Sequence, residues 1–202
     1  MALQREKYIV RSLRVCITTI LLPSCVVNPP VLVYSPPKEL VSGYGITNKV
    51  PMKVELYLSD ELREAEWQRK GSTGSYRLVL GEALARNAEV VTREVFAAVV
   101  VTGGSGGPGM AGINAVLIPR FVTAQQTAAV LFVSVETLTV LLEWTLKDEK
   151  GNIIWVDTIK GEGDASTIEQ RSKAMLDDLF HKSFTALSSS RAIREFAAKQ
   201  RK

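Results

Sequence analysis

The chain has 202 residues and a mass of 22.2 kDa, with 46% hydrophobic and 23% charged residues, enough for one domain with a sizeable core. Two cysteines, Cys16 and Cys25, and one histidine, His181, exclude a cysteine-clamped zinc site and a disulfide scaffold, and leave His181 as the one imidazole for any triad or dyad. The formal net charge of +4 invites a nucleic-acid reading, so the location of that charge decides its meaning.

Residues 1–24 have the order of an export signal. Arg5, Lys7, Arg11 and Arg14 form a basic stretch opposed by Glu6 alone, and Val15 to Leu22 is an apolar run of eight residues. That run is the length of a signal core and far short of the roughly 20 residues of a spanning helix. Leu22-Pro23-Ser24-Cys25 follows. Leu22, Ser24 and Cys25 resemble the lipobox of bacterial lipoproteins, with Leu three before the Cys and a small residue just before it; Pro23 departs from the usual small or β-branched residue. The resemblance implies that the Cys25 thiol accepts a diacylglyceryl group and becomes the new N-terminus, giving a membrane anchor of two or three acyl chains, each buried methylene contributing about 0.8 kcal/mol. Val26 follows in place of the Asp that marks inner-membrane retention in enteric bacteria, so the implied address is the periplasmic face of the outer membrane. Loss of residues 1–24 removes four of 25 basic residues and one of 21 acidic ones, leaving a net +1. No charge argument for nucleic acid survives.

Residues 25–49 form a proline-rich tether or surface strap holding Pro29, Pro30, Pro36 and Pro37. A single domain is expected over 50–187. Met52 to Leu58 alternates, with Val54, Leu56 and Leu58 on one face, as a half-buried strand does. The polar stretch 59–77, with Gly71-Ser72-Thr73-Gly74-Ser75, is expected to be a loop. Leu80, Leu84, Ala88 and Val91 recur at helical spacing, and Glu82–Arg86 and Glu89–Arg93 form i,i+4 pairs, so 79–94 is an amphipathic helix. It runs into Val95 to Val101, a continuous apolar run typical of a strand covered on both faces. Beyond the glycine-rich 103–109, strands are expected at Ile113–Phe121, Val130–Leu146 and Ile153–Lys160. The last two are joined through Asp148-Glu149-Lys150-Gly151 as a hairpin. Pairing Lys147 with Asn152 would place Trp144 opposite Trp155. A second helix over 166–187 starts at Ser166 or Thr167, with Glu169 at capping-box spacing from Ser166. This order of strand, helix, strands and helix predicts an α+β fold: a mainly antiparallel sheet of about four to five strands, two helices on one face.

Few residues point to chemistry. Gly104-Ser105-Gly106-Gly107-Pro108-Gly109 matches G-x-G-x-x-G but is followed by a strand pattern instead of a helix, so a flexible hairpin loop is favoured over a dinucleotide site. Asp177 and Asp178 precede His181 by four and three residues, the pattern of a solvated helix stripe. Asp157, Glu162 and Asp164 cluster around Gly161 and Gly163 as a surface turn would. No cofactor, metal or catalytic set is expected. The tail, 188–202, carries Arg191, Arg194, Lys199, Arg201 and Lys202 with Phe196 on an apolar side. It is a candidate contact with anionic lipid headgroups, peptidoglycan or an acidic partner, or a frayed, solvated end.

Region 51–187 resembles the small periplasmic α+β lipoproteins of Gram-negative bacteria, among them auxiliary lipoproteins of ABC-type lipid transport. The likeness rests on Leu22 to Cys25, the proline tether, the strand–helix–strand order and the hairpin from Trp144-Thr145-Leu146 to Trp155-Val156-Asp157. It implies a non-enzymatic binding or assembly protein whose sheet face or edge strand meets an envelope partner or further copies of itself. Two other readings stay open. One is a carrier with an apolar cleft lined by Val99, Val101, Leu117 and Leu141; the other is a periplasmic enzyme using His181 or the acids of 157–164.

Overall fold

The computed structural model describes residues 49–71, 74–104, 112–127 and 136–200. The export-signal, lipidation and tether assignments at 1–48, most of the glycine-rich segment, and Arg201 and Lys202 lie outside the described residues.

The first strand, β1 (Val50–Leu58), follows the alternation of its sequence: Val50, Met52, Val54, Leu56 and Leu58 are all buried. Glu55 and Tyr57 on its other face are buried too, because β1 is interior, with a strand on each side. Ser59 caps the short α1 (Asp60–Arg63), its Oγ accepting from the Leu62 amide at 3.2 Å. The stretch expected to be a loop then forms a hairpin, β2 (Glu66–Gly71) and β3 (Gly74–Val79), whose Trp67 and Leu78 pair across it and bury together. Helix α2 (Gly81–Val95) buries Leu84, Ala88, Val91 and Val95, and Glu89 pairs with both Arg93 and Arg86. β4 (Phe96–Gly103), β5 (Ala115–Thr127), β6 (Glu136–Asp148) and β7 (Ile153–Ala165) complete the strands. Two helices close the fold, α3 (Ile168–Ser189) and α4 (Arg191–Lys199). Thr167 is the cap of α3, accepting from the Gln170 amide at 3.3 Å, one residue later than a Ser166 capping box would have it.

The fold is α+β, but its five-stranded sheet is mixed. The order is β4-β1-β5-β6-β7, with β1 parallel to both β4 and β5 and the β5-β6-β7 meander antiparallel. An intervening helix returns the chain to the end of the sheet where it started, so β1–α2–β4 is a parallel unit. The chain then passes β1, and β5 runs parallel along its other side; the glycine-rich segment therefore joins two strands that do not pair, and the expected hairpin there is overturned. Four helices are present among the described residues, not two.

The core lies between the sheet and its helices. Leu138, Val140, Leu142, Trp144 and Leu146 of β6 point into it in strict alternation, and the Trp144 indole donates to Ser183 Oγ on α3 at 3.2 Å. The facing positions of β7 are Ile159, Gly161 and Gly163. A Cβ at Gly163 would stand 2.1 Å from the Arg171 carbonyl oxygen, and one at Gly161 would stand 2.7 Å from Leu179 Cβ. The two glycines are the floor on which α3 rests. They lie inside a strand that runs to Ala165, five residues past the expected end and in place of a surface turn. Arg171 locks this corner. Its side chain is 8% exposed; Nε donates to Ala165 O at 2.7 Å, Nη2 to Ser166 O at 3.2 Å, and Nη1 pairs with Glu136 at 2.5 Å.

At the β6–β7 turn, Leu146 pairs with Trp155 and Trp144 with Asp157, so the two indoles are diagonal neighbours and not opposite each other. A register shift between Leu146 and Lys147 displaces the pairing from the simple count. Gly151 supplies the positive φ of 84° that the turn needs. Asp148 accepts from Asn152 Nδ2 and from the Asn152 and Lys150 amides at 2.8–2.9 Å. The Asn152 side chain, foremost, and these amides hold the Asp148 carboxyl below its ordinary value near 3.8. A carboxyl lowered on folding contributes stability above its unfolded value and loses it as pH falls through the folded one. Asp148→Asn should therefore weaken the protein at neutral pH and flatten its stability profile below about pH 4, as followed by urea melts at stepped pH.

Candidate interaction surface

The outward residues of the β5-β6-β7 meander form one open face, with α1 beside its β5 margin, where Glu61 acts on Arg120. The register builds it in rows: Val116 beside Lys147; Ile118, Thr145 and Val156; Arg120, Glu143 and Thr158; Thr123, Leu141 and Lys160. The rows nearest the β6–β7 turn carry the aliphatic side chains Val116, Ile118 and Val156 beside Lys147 and Thr145. Val156 is 53% exposed and Ile153, at the rim, 63%, both unusual for large aliphatic side chains. The next row is an ion pair, Arg120 Nε to Glu143 Oε1 at 3.1 Å, which raises the Arg120 pKa above its ordinary value. Val122 is the extra residue where the β5–β6 register shifts, and it is 41% exposed. Toward β1 the same face closes. Glu55 is 1% exposed and accepts from Thr102 Oγ1 at 2.6 Å, and the Tyr57 hydroxyl donates to the Gly104 carbonyl.

The two outer edges of the sheet differ. On β7, carboxylates occupy outward amides: Asp178 of α3 accepts from the Glu162 N–H at 2.8 Å, and Asp157 from the Thr158 N–H at 2.8 Å. On β4 no side chain does so among the described residues. Moreover, β4 is not covered on both faces as its apolar run suggested. It is an edge strand with Ala97 and Ala98 exposed and Val99 to Thr102 half-buried.

The sequence-selected residues scatter. Asp157 occupies a core-side position of β7 while Glu162 and Asp164 stand on the open face, and seven residues of strand separate the first from the last by about 23 Å. The three carboxylates do not converge. His181 is exposed on α3, in a stripe where Lys173 pairs with Asp177 and Lys182 with Asp178. Among the described residues no three His, Cys, Asp or Glu side chains gather as metal ligands. Val99, Val101 and Leu117 lie on the core side, whereas Leu141 lies on the open face, so these four do not line one cleft. The tail is helical: α4 inserts Ile193 and Ala197 into the core, Phe196 packs against it, and Arg194 donates to the Ser188 carbonyl at 2.6 and 2.9 Å. Arg191 pairs with Glu195, and Lys199 is exposed in the last turn. No described helix is long and apolar enough to cross a membrane.

No protein-family model matches the chain, and no curated protein matches it. Among solved structures it resembles the Xanthomonas campestris protein XCC0632, of the DUF330 family, with a TM-score of 0.54 and 11% identity over 85% of this chain and 97% of that one. The two share a fold. A minor lipoprotein from Acinetobacter baumannii gives a TM-score of 0.40 at 15% identity, covering 70% of this chain and 96% of its own. Lipoprotein GNA1162 from Neisseria meningitidis gives 0.36 at 12%, covering 58% and 86%. The sequence points to a contact through a sheet face or edge strand but not to its residues, because Val116, Ile118 and Val156 belong to apolar runs whose outward members cannot be told from inward ones without the register. The signal that could have found that face is the clean inward set Leu138 to Leu146, which leaves the odd-numbered residues of β6 outward.

Proposed function

We propose that the chain is a membrane-anchored periplasmic lipoprotein, acylated at Cys25, that serves a cell-envelope transport or assembly system by binding and not by catalysis. The observation that carries the binding role is the open face of β5-β6-β7. Its apolar end at Ile118, Val156 and Ile153, bounded by the Arg120–Glu143 pair, is the pattern of a protein contact with an apolar centre and a polar rim. The anchor rests on Leu22 to Cys25 behind a basic, then apolar, leader. Auxiliary lipoproteins of ABC-type lipid transport are the class whose expected parts match these: a lipid anchor, a tether and an α+β domain with an exposed sheet. The basic residues of α4, Arg191 and Lys199, are then available to anionic headgroups or an acidic partner near the membrane.

Expression of the whole chain and of Cys25→Ala in a Gram-negative host tests the anchor. Wild type should fractionate with membranes and show a lower polypeptide mass plus an acyl increment, while Cys25→Ala should be soluble and without that increment. A wild-type chain that stays soluble, uncleaved and unacylated sinks the proposal.

A further inference from the structure

We propose that β4 is a self-pairing edge, through which two copies of this chain join their sheets across a two-fold axis with their β4 strands antiparallel. The proposal is independent of acylation at Cys25. It starts from a mismatch between composition and position. Phe96-Ala97-Ala98-Val99-Val100-Val101-Thr102 has no charge, no proline and no polar residue before Thr102, the composition of a strand inside a sheet, yet it forms the outer edge beside β1. Alternate residues of an edge strand turn their N–H and C=O groups outward, and natural edges are blunted by charges, bulges or covering side chains. The opposite edge shows that protection. On β7, Asp157 and Asp178 occupy the Thr158 and Glu162 amides, and Lys160, Glu162 and Asp164 line the strand. Among the described residues β4 carries no charge and no side chain occupies its outward amides; its pairing with β1 is irregular only at its start, between Val50 and Lys53, and regular from Ala98 to Gly103.

The same contrast selects the partner. A head-to-tail contact of β4 with the β7 edge of another copy would have to displace the Asp157 and Asp178 carboxylates from the amides they hold, whereas two β4 strands present nothing that repels. Antiparallel pairing of β4 with itself is isologous and closes at two copies. Its small residues, Ala97 and Ala98, let the strands approach. Val99 and Val101 on one side and Val100 and Thr102 on the other give β-branched cross-strand contacts on both faces. The absence of charge leaves nothing by which β4 would choose a charged foreign strand.

The full chain in mild detergent, followed by light scattering during size exclusion, should have a protein mass twice that of one polypeptide, which is 22.2 kDa unprocessed and less once residues 1–24 are removed. Ala98→Glu and Ala97→Lys, both at exposed positions, should each weaken association at least about tenfold and give the monomer mass, with thermal melts within a few degrees of wild type. Of the Val99 to Thr102 amides, the alternate ones that face away from β1 should exchange slowly in wild type and at least about tenfold faster in either variant, while those bonded to β1 stay protected in both. A wild-type monomer overturns the proposal; if its β4 amides are nonetheless protected, a segment of the same chain covers the edge. Oligomers that survive both substitutions, including larger rings, overturn it as well.

Discussion

Gly163→Ala should cost about 3 kcal/mol or more and lower the melting temperature by roughly 6–12 °C. The added methyl would stand 2.1 Å from the Arg171 carbonyl oxygen and 2.4 Å from the Met175 amide nitrogen, both backbone atoms of α3. No rotamer change relieves such a contact, so either β7 bends or the 22-residue helix lifts from the sheet. Lifting would uncover Met175, Leu176 and Leu179, all fully buried. Gly161→Ala should do less, because Leu179 Cβ and the Met175 carbonyl oxygen lie at 2.7 Å. Glu162→Ala, one residue away on the outward face, is the control and should stay within about 0.5 kcal/mol. Thermal melts of the three variants by circular dichroism decide the matter. If Gly163→Ala melts like the control, α3 does not rest on β7 as closely as described.

Arg171→Ala should be destabilising by about 3–5 kcal/mol, the range for breaking a buried ion pair from one side. The loss strips Ala165 O and Ser166 O of the Arg171 donors and leaves Glu136, which also accepts from Gln126 Nε2, without its cation. Glu136→Ala should cost less, since its side chain is 29% exposed and water can replace part of what it offers. Arg171→Lys keeps the charge but loses the fork that reaches three acceptors at once, and should fall between. Urea unfolding of the two alanine variants and their double mutant gives the coupling energy. A value near zero would mean that Arg171 acts only through the two carbonyls.

What was legible in the sequence, and what was not, follows from which interactions are local. The alternation of Leu138 to Leu146 and the helical stripe of Leu84, Ala88 and Val91 announce themselves, because each records one solvent boundary along one element. The end of β7 was hidden because Gly161 and Gly163 supply no side chain where the α3 backbone takes its place. The parallel placement of β1 was hidden because a strand's choice of neighbour depends on residues far along the chain. The Trp144–Trp155 register failed by two residues, one because Lys147 pairs with Ile153 and not with Asn152, the other at the irregularity between Leu146 and Lys147. Helix α4 was obscured because two buried residues, Ile193 and Ala197, secure nine. In the candidate site, Ile118, Val156 and the Arg120–Glu143 pair became a surface only when three strands were laid side by side.

The central position of β1 has a consequence for the order of assembly. Its partners come late: Leu56 lies beside Val101 of β4 and Leu117 of β5, and α4, the last element, touches both β1 and β7. Nine helical residues span about 13 Å, close to the roughly 14 Å between those two strands, so α4 is long enough to reach from one to the other. A chain synthesised from its N-terminus thus makes its most deeply enclosed strand first and must hold it unpaired until residues 96–117 arrive. It remains unlatched until Ile193 and Ala197 follow. The meander and α3 can form from near neighbours, but the domain closes only when its two ends meet.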